Sequence, residues 1–135
     1  MILFSRCVSI LEIKIIETSE FSKTFTKLYK KYPHLKEDFG RFKRAVLAEF
    51  DDANQFAVHI CVPISNLGHK IKALICKGKK FHSSDFAGRG SQSGFRLIYA
   101  YEKEKQQITF IEIYHKNKQE NESKELIHKY FDTNQ

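Results

Sequence analysis

Apolar and polar positions alternate in phase over the last third of the chain. FRLIYAY (95–101) and ITFIEIY (108–114) are β-rich runs joined by the charged turn EKEKQQ, and they predict a β-hairpin. On the first arm Phe95, Leu97, Tyr99 and Tyr101 share one face, and Arg96, Ile98 and Ala100 the other. On the second, a strict two-residue period groups Ile108, Phe110, Glu112 and Tyr114 against Thr109, Ile111, Ile113 and His115. Near the start, Val8, Ile10, Leu11, Ile13 and Ile16 predict a strand over about 7–17. The period then becomes helical. Phe21, Phe25, Leu28, Tyr29 and Tyr32 form one stripe behind a cap at Thr18 or Ser19, ended by Pro33. A second stripe, Leu35, Phe39, Phe42, Val46 and Phe50, is weakened at Gly40 and ends at Asp51, Asp52 and Asn54. Residues 56–62 read as a short strand or an extended loop, 70–76 as a strand start that Gly78 bends, and 83–94 as a loop. Residues 119–131 suit a final helix with Leu126, Ile127, Tyr130 and Phe131 inward. The pattern predicts an α+β fold, with an α-hairpin packed on a small sheet.

Length and composition narrow this to one domain. The 135 residues are 41% hydrophobic and 29% charged, and twelve Phe with six Tyr supply a core without Trp. No apolar run approaches the roughly 18–20 residues that cross a bilayer. Arg6, Glu12 and Lys14 interrupt the apolar start, so it does not read as a signal peptide and a cytoplasmic protein is expected. Cys7, Cys61 and Cys76 are an odd, widely spaced set without a CxxC pair. That spacing argues against a disulfide framework or a zinc site and for small buried apolar residues in a reducing compartment. No metal or cofactor is expected.

Charge adds a direction. The net charge is +7, and residues 69–96 alone carry Lys70, Lys72, Lys77, Lys79, Lys80, Arg89 and Arg96 against Asp85, or +6. A concentrated positive field attracts polyanions and speeds their association, although it also suits a merely solubilising face. Lys70, Lys72, Lys77, Lys79 and Arg89 are therefore the candidate RNA-binding residues.

The glycines at 88, 90 and 94 lack the G-x-G-x-x-G spacing and open no helix, and no P-loop or nucleophile elbow is present. The candidate chemistry is cationic: Lys80, His82, Arg96, His115 and Lys116. On an extended strand Lys80 and His82 face the same way, and antiparallel pairing brings residue 96 to the same sheet end as 114–116. RNA carries its own nucleophile, the 2′-hydroxyl. Cleavage then needs a base, an acid and cations at the phosphorane, roles open to His, to a Lys crowded by other cations and to Arg. The same residues also read as solvated cations and a packing histidine.

The strand GFRLIYAY (94–101), the basic strand and loop KFHSSDFAGRGSQSG (80–94) and the last strand FIEIYHKNKQENE (110–122) resemble the RelE/ParE superfamily of toxins from type II toxin–antitoxin systems. The resemblance covers about a third of the chain closely and the rest in element order. It implies a RelE-like fold: a small, mostly antiparallel sheet with two N-terminal helices on one face, a basic concave surface on the other and a short C-terminal helix. It implies a metal-independent mRNA endonuclease that acts on mRNA on the ribosome and inhibits translation, held inactive by a cognate antitoxin. Arg96 maps onto the family's phosphate-binding arginine, Lys80 and His82 onto its basic pair, and His115 with Lys116 onto the end of the last strand. The family's C-terminal catalytic Tyr has no counterpart, because Glu122 falls near its place. ParE-like relatives inhibit DNA gyrase without ribonuclease activity, so a gyrase inhibitor, or a non-catalytic basic RNA-binding module, is the alternative.

Overall fold

A computed structural model describes residues 13–49, 61–85 and 93–133. In chain order these form β1 (Lys14–Glu17), α1 (Ser19–Lys31), α2 (Leu35–Leu47), β2 (Cys61–Pro63), β3 (Leu74–Gly78), β4 (Phe95–Glu102), β5 (Gln107–His115) and α3 (Lys124–Thr133). The strands make one mixed sheet in the order β1-β5-β4-β3-β2. Strand β1 runs parallel to β5, and every other pair is antiparallel. The predicted hairpin is present, with Phe95 opposite His115 and Glu102 opposite Gln107.

The helix ends follow from local chemistry. Thr18 is the N-cap, its hydroxyl accepting a hydrogen bond from the Phe21 amide at 3.1 Å. Tyr32 closes α1 in extended geometry before Pro33, as proline disfavours helix in the preceding residue. The apolar stripe of the hairpin buries Phe21, Leu35, Phe39, Phe42 and Val46 on the inner face of the sheet against Leu97, Tyr99, Phe110 and Ile113. Phe39 meets Phe110 edge-on at 4.9 Å between centroids, a favoured aromatic geometry. Helix α2 ends at Leu47; Phe50 of the expected stripe and the expected end at Asp51, Asp52 and Asn54 lie outside the described residues, as do residues 7–12 of the expected first strand and 56–60 of the segment after the helices.

Gly78 ends β3 in register with Leu97 rather than bending it. The Phe42 ring rests on its bare backbone, since a Cβ there would stand 2.5 Å from Phe42 Cζ.

Two further sequence readings are corrected. The two-residue period of β5 breaks: Ile98 faces Glu112 while Tyr99 faces Phe110, leaving Ile111 as an extra residue in a β-bulge. Glu112 and Tyr114 therefore leave the side of Phe110 and join Thr109 and Ile111 on the outer face, whereas Ile113 and His115 turn inward. The cysteines are also not isolated apolar residues, because Cys61 and Cys76 form a disulfide between β2 and β3 with Cα atoms 5.1 Å apart. Cys7 lies outside the described residues.

The outer face is only partly open. Ile75, Ile98, Ala100, Ile111 and Tyr114 form a second apolar cluster, covered by Ile127 and Phe131 of α3 and by Leu67. A polar group of Thr109, Gln107 and Tyr130 occupies one end of this face, and Lys77 and Arg96 lie toward the other.

Candidate nucleic-acid interface

The polar part of the outer face follows from strand register. Lys77 sits opposite Ile98, and Ile98 opposite Glu112; one step along, Arg96 sits opposite Tyr114. Lys79, exposed, follows directly on Gly78, the last residue of β3. Alternation within the paired strands places Lys77, Arg96 and Tyr114 on one side of the sheet. Arg96 is half-buried, and its guanidinium Nη1 donates to the Phe95 carbonyl at 3.2 Å.

The chain after β5 turns back over this patch. The Lys116 amide donates to the Gly94 carbonyl at 2.9 Å. Gln119 Nε2 donates to one Glu112 oxygen at 2.7 Å, and the Ser123 amide to the other at 2.8 Å. The Glu122 carboxylate then reaches Lys77 at 2.6 Å, both side chains being largely buried. Burial works against the charge of each, but the pairing outweighs it: the Lys77 pKa is raised and the Glu122 pKa lowered from their ordinary values. The Tyr114 hydroxyl is buried beside the Lys77 ammonium. Burial raises its pKa, with the Lys77 ammonium acting in the opposite sense.

The remaining sequence candidates separate. Lys80 and His82 are exposed on either side of Phe81, which is fully buried with the inner-face aromatics. They therefore share a direction, away from the core, as an extended segment requires. Lys116 is exposed beside Gly94. His115 is not brought to Arg96. It is buried edge-on against Phe95, with Nε2 2.9 Å from the Ser93 carbonyl and Nδ1 accepting from the Asn117 amide at 3.1 Å. Lys70 and Lys72 are exposed in the connection before β3, at the Leu74–Tyr101 end of the sheet, away from Arg96. Arg89 lies outside the described residues.

The stem of the glycine-rich loop is tied to the helices. Buried Asp38 accepts from the Ser84 amide and hydroxyl, each at 2.8 Å, and pairs with Arg41. Asp85 accepts from the His34 amide at 3.1 Å and lies 2.9 Å from His34 Nδ1. That carboxylate, by hydrogen bond and by charge, raises the His34 pKa.

A separate cleft of about 280 Å³ runs between β1 and α3, lined by Ile16, Ile111, Leu126 and Tyr130, with the exposed Glu20–Lys129 pair at 3.4 Å beside it. Among the described residues no three His, Cys, Asp or Glu side chains gather as a metal site, and no helix is long and apolar enough to cross a membrane.

Sequence reasoning assigned no role to Glu112, Tyr114, Gln119 or Glu122. The bulge at Ile111 moved two of them to the outer face, and no local pattern marks the pairing of residues 77 and 122. No family model matches the chain, and no curated protein or solved structure is significantly similar to it.

Proposed function

We propose that the chain is the toxin of a type II toxin–antitoxin pair, an endonuclease that cuts mRNA on the ribosome. The observation that carries this reading is the meeting of Lys77 and Arg96 on one side and at one end of the sheet, with exposed Lys79 just past the end of β3. Exposed Lys80, His82 and Lys116 lie on the adjoining segments. The element order, with an α-hairpin between β1 and the remaining strands, agrees with the sequence resemblance. In this reading Arg96 clamps the scissile phosphate, because guanidinium is permanently charged and can bind two phosphate oxygens at once. Lys80 or His82 takes the 2′-hydroxyl proton, and Lys116 contacts the phosphate or protonates the leaving oxygen. His115 instead braces the end of the hairpin.

Induced expression followed by RNA 5′-end mapping, beside a gyrase supercoiling assay, tests the reading. Codon-phased cuts are expected. Lost supercoiling with intact mRNA would replace it by a gyrase inhibitor, the reading favoured by the inward turn of His115, which leaves fewer proton-transfer groups on the outer face. The proposed partner is an antitoxin with an acidic or amphipathic segment that covers the basic patch, and it should co-purify when both are expressed from the native operon.

A further inference from the structure

The most unusual pair on the outer face joins a lysine of the sheet to a carboxylate from outside it. Lys77 projects from a central region of the sheet, and Glu122 reaches it from the turn-back segment at 2.6 Å. A carboxylate and a phosphate are both compact anions with paired acceptor oxygens, and an ammonium binds either. Around the pair stand groups that suit a phosphate better than a carboxylate alone. Arg96 lies on the neighbouring strand two residues from Ile98, the register partner of Lys77, and its Nη1 donates to the Phe95 carbonyl. The buried Tyr114 hydroxyl stands beside the Lys77 ammonium as a third polar group.

We propose that Lys77, Arg96 and the Tyr114 hydroxyl form a binding site for an RNA backbone phosphate, which Glu122 closes from within the chain by taking the phosphate's place on Lys77. The proposal rests on the RNA reading above and adds to it a site and its self-occupant.

Opening the site needs little rearrangement. The turn-back segment is held by Glu112, through Gln119 Nε2 and the Ser123 amide, and by the Lys116–Gly94 backbone bond. None of these contacts involves the Glu122 side chain. Rotation of that side chain alone releases Lys77. The carboxylate that stays, Glu112, is two strands from Lys77 across Ile98 and has both oxygens engaged. With Glu122 in place Lys77 is neutralised; with Glu122 out, Lys77 and Arg96 present two cations to one strand of RNA.

The test is binding of a short fluorescent single-stranded RNA to the full chain and its variants, over a series of salt concentrations. Glu122→Gln should bind on the order of tenfold more tightly at low salt. Its log–log salt slope should steepen by about 0.7, the signature of one added phosphate contact on a single strand. Lys77→Ala should bind no tighter than wild type, and the double variant should match Lys77→Ala alone. Tyr114→Phe in the Glu122→Gln background should lose part of the gain. Glu122→Asp, whose carboxylate is one methylene shorter, should give an intermediate gain and serves if Glu122→Gln does not fold. Unchanged affinity and slope in both folded Glu122 variants would overturn the proposal and leave the pair as a structural brace. Codon-phased cutting by wild type beside that result sinks the proposal alone. Absent cutting with a clear Glu122→Gln gain sinks the nuclease reading and leaves the phosphate site standing.

Discussion

Gly94 lies under the imidazole of His115: a Cβ at residue 94 would stand 2.7 Å from His115 Nε2. Gly94 also has a φ of 96°, a conformation that side chains strongly disfavour. Both demands fall on one residue, just before the strand that carries Arg96. Gly94→Ala should destabilise the fold by about 2–3 kcal/mol or more. Urea unfolding will measure it. A loss below about 0.5 kcal/mol, the range of an ordinary surface substitution, would contradict this account of the glycine.

The Cys61–Cys76 disulfide closes a loop with a sequence separation of 15. A loop of that size corresponds to about 3 kcal/mol in the chain-entropy account. The paired variant Cys61→Ala/Cys76→Ala should unfold at lower urea by that margin, and added reductant should move wild type but not the variant. Equal midpoints with and without reductant would show that the bond does not contribute.

His34 and Asp85 link the turn between the helices to the stem of the glycine-rich loop. The folded pKa of His34 is raised above 6.5 by the Asp85 carboxylate. The sign follows from proton linkage: the stabilisation is fully present below pH about 6.5 and is lost as pH rises through the higher folded value. Stability followed from pH 5 to 9 should fall over that window in wild type. Asp85→Asn should flatten the curve there; an unchanged curve would remove the pair from the account.

Arg96 is half-buried at the start of a paired strand, so its removal opens no large cavity. In the nuclease reading Arg96→Ala should stay folded and lose about 10²-fold or more of mRNA cleavage, as when one electrostatic stabiliser is removed. Lys80→Ala and His82→Ala should separate by which of them abolishes proton transfer. EDTA should have no effect on cutting. Full cleavage by folded Arg96→Ala would turn the patch into a docking surface for another partner.

Periodicity carried the helices and the hairpin because it reports burial directly. Phe21, Phe39 and Phe42 recur at helical spacing, and all three are buried on the sheet. The same tool failed within β5. One inserted residue, Ile111, reverses the phase, so His115 joins Phe95 in the interior instead of meeting Arg96. Cys61 and Cys76 escaped notice for a different reason. Their pairing depends on the register of β2 on β3, where Cys61 faces Gly78 and Cys76 faces Pro63, and a diagonal between strands leaves no mark on local spacing. The Lys77–Glu122 pair is longer-range still. It requires the chain to fold back after β5, and nothing in KNKQENE shows where its carboxylates will land.

The pairing of β1 with β5 also sets an order of events. Thr18, just past β1, bonds through its hydroxyl to the Ile111 carbonyl, 93 residues further along. Strand β1 therefore has no β5 to pair with until the 93 residues that separate Thr18 from Ile111 have been made. Until then α1 and α2 lack β5 and the Phe110 ring beneath them, so their aromatic stripe stays uncovered. Such distant pairings slow folding, since the loop must close before its contacts form. The sheet is completed only once β5 has emerged, and a chain cut short before β5 keeps an exposed apolar stripe of the kind that aggregates.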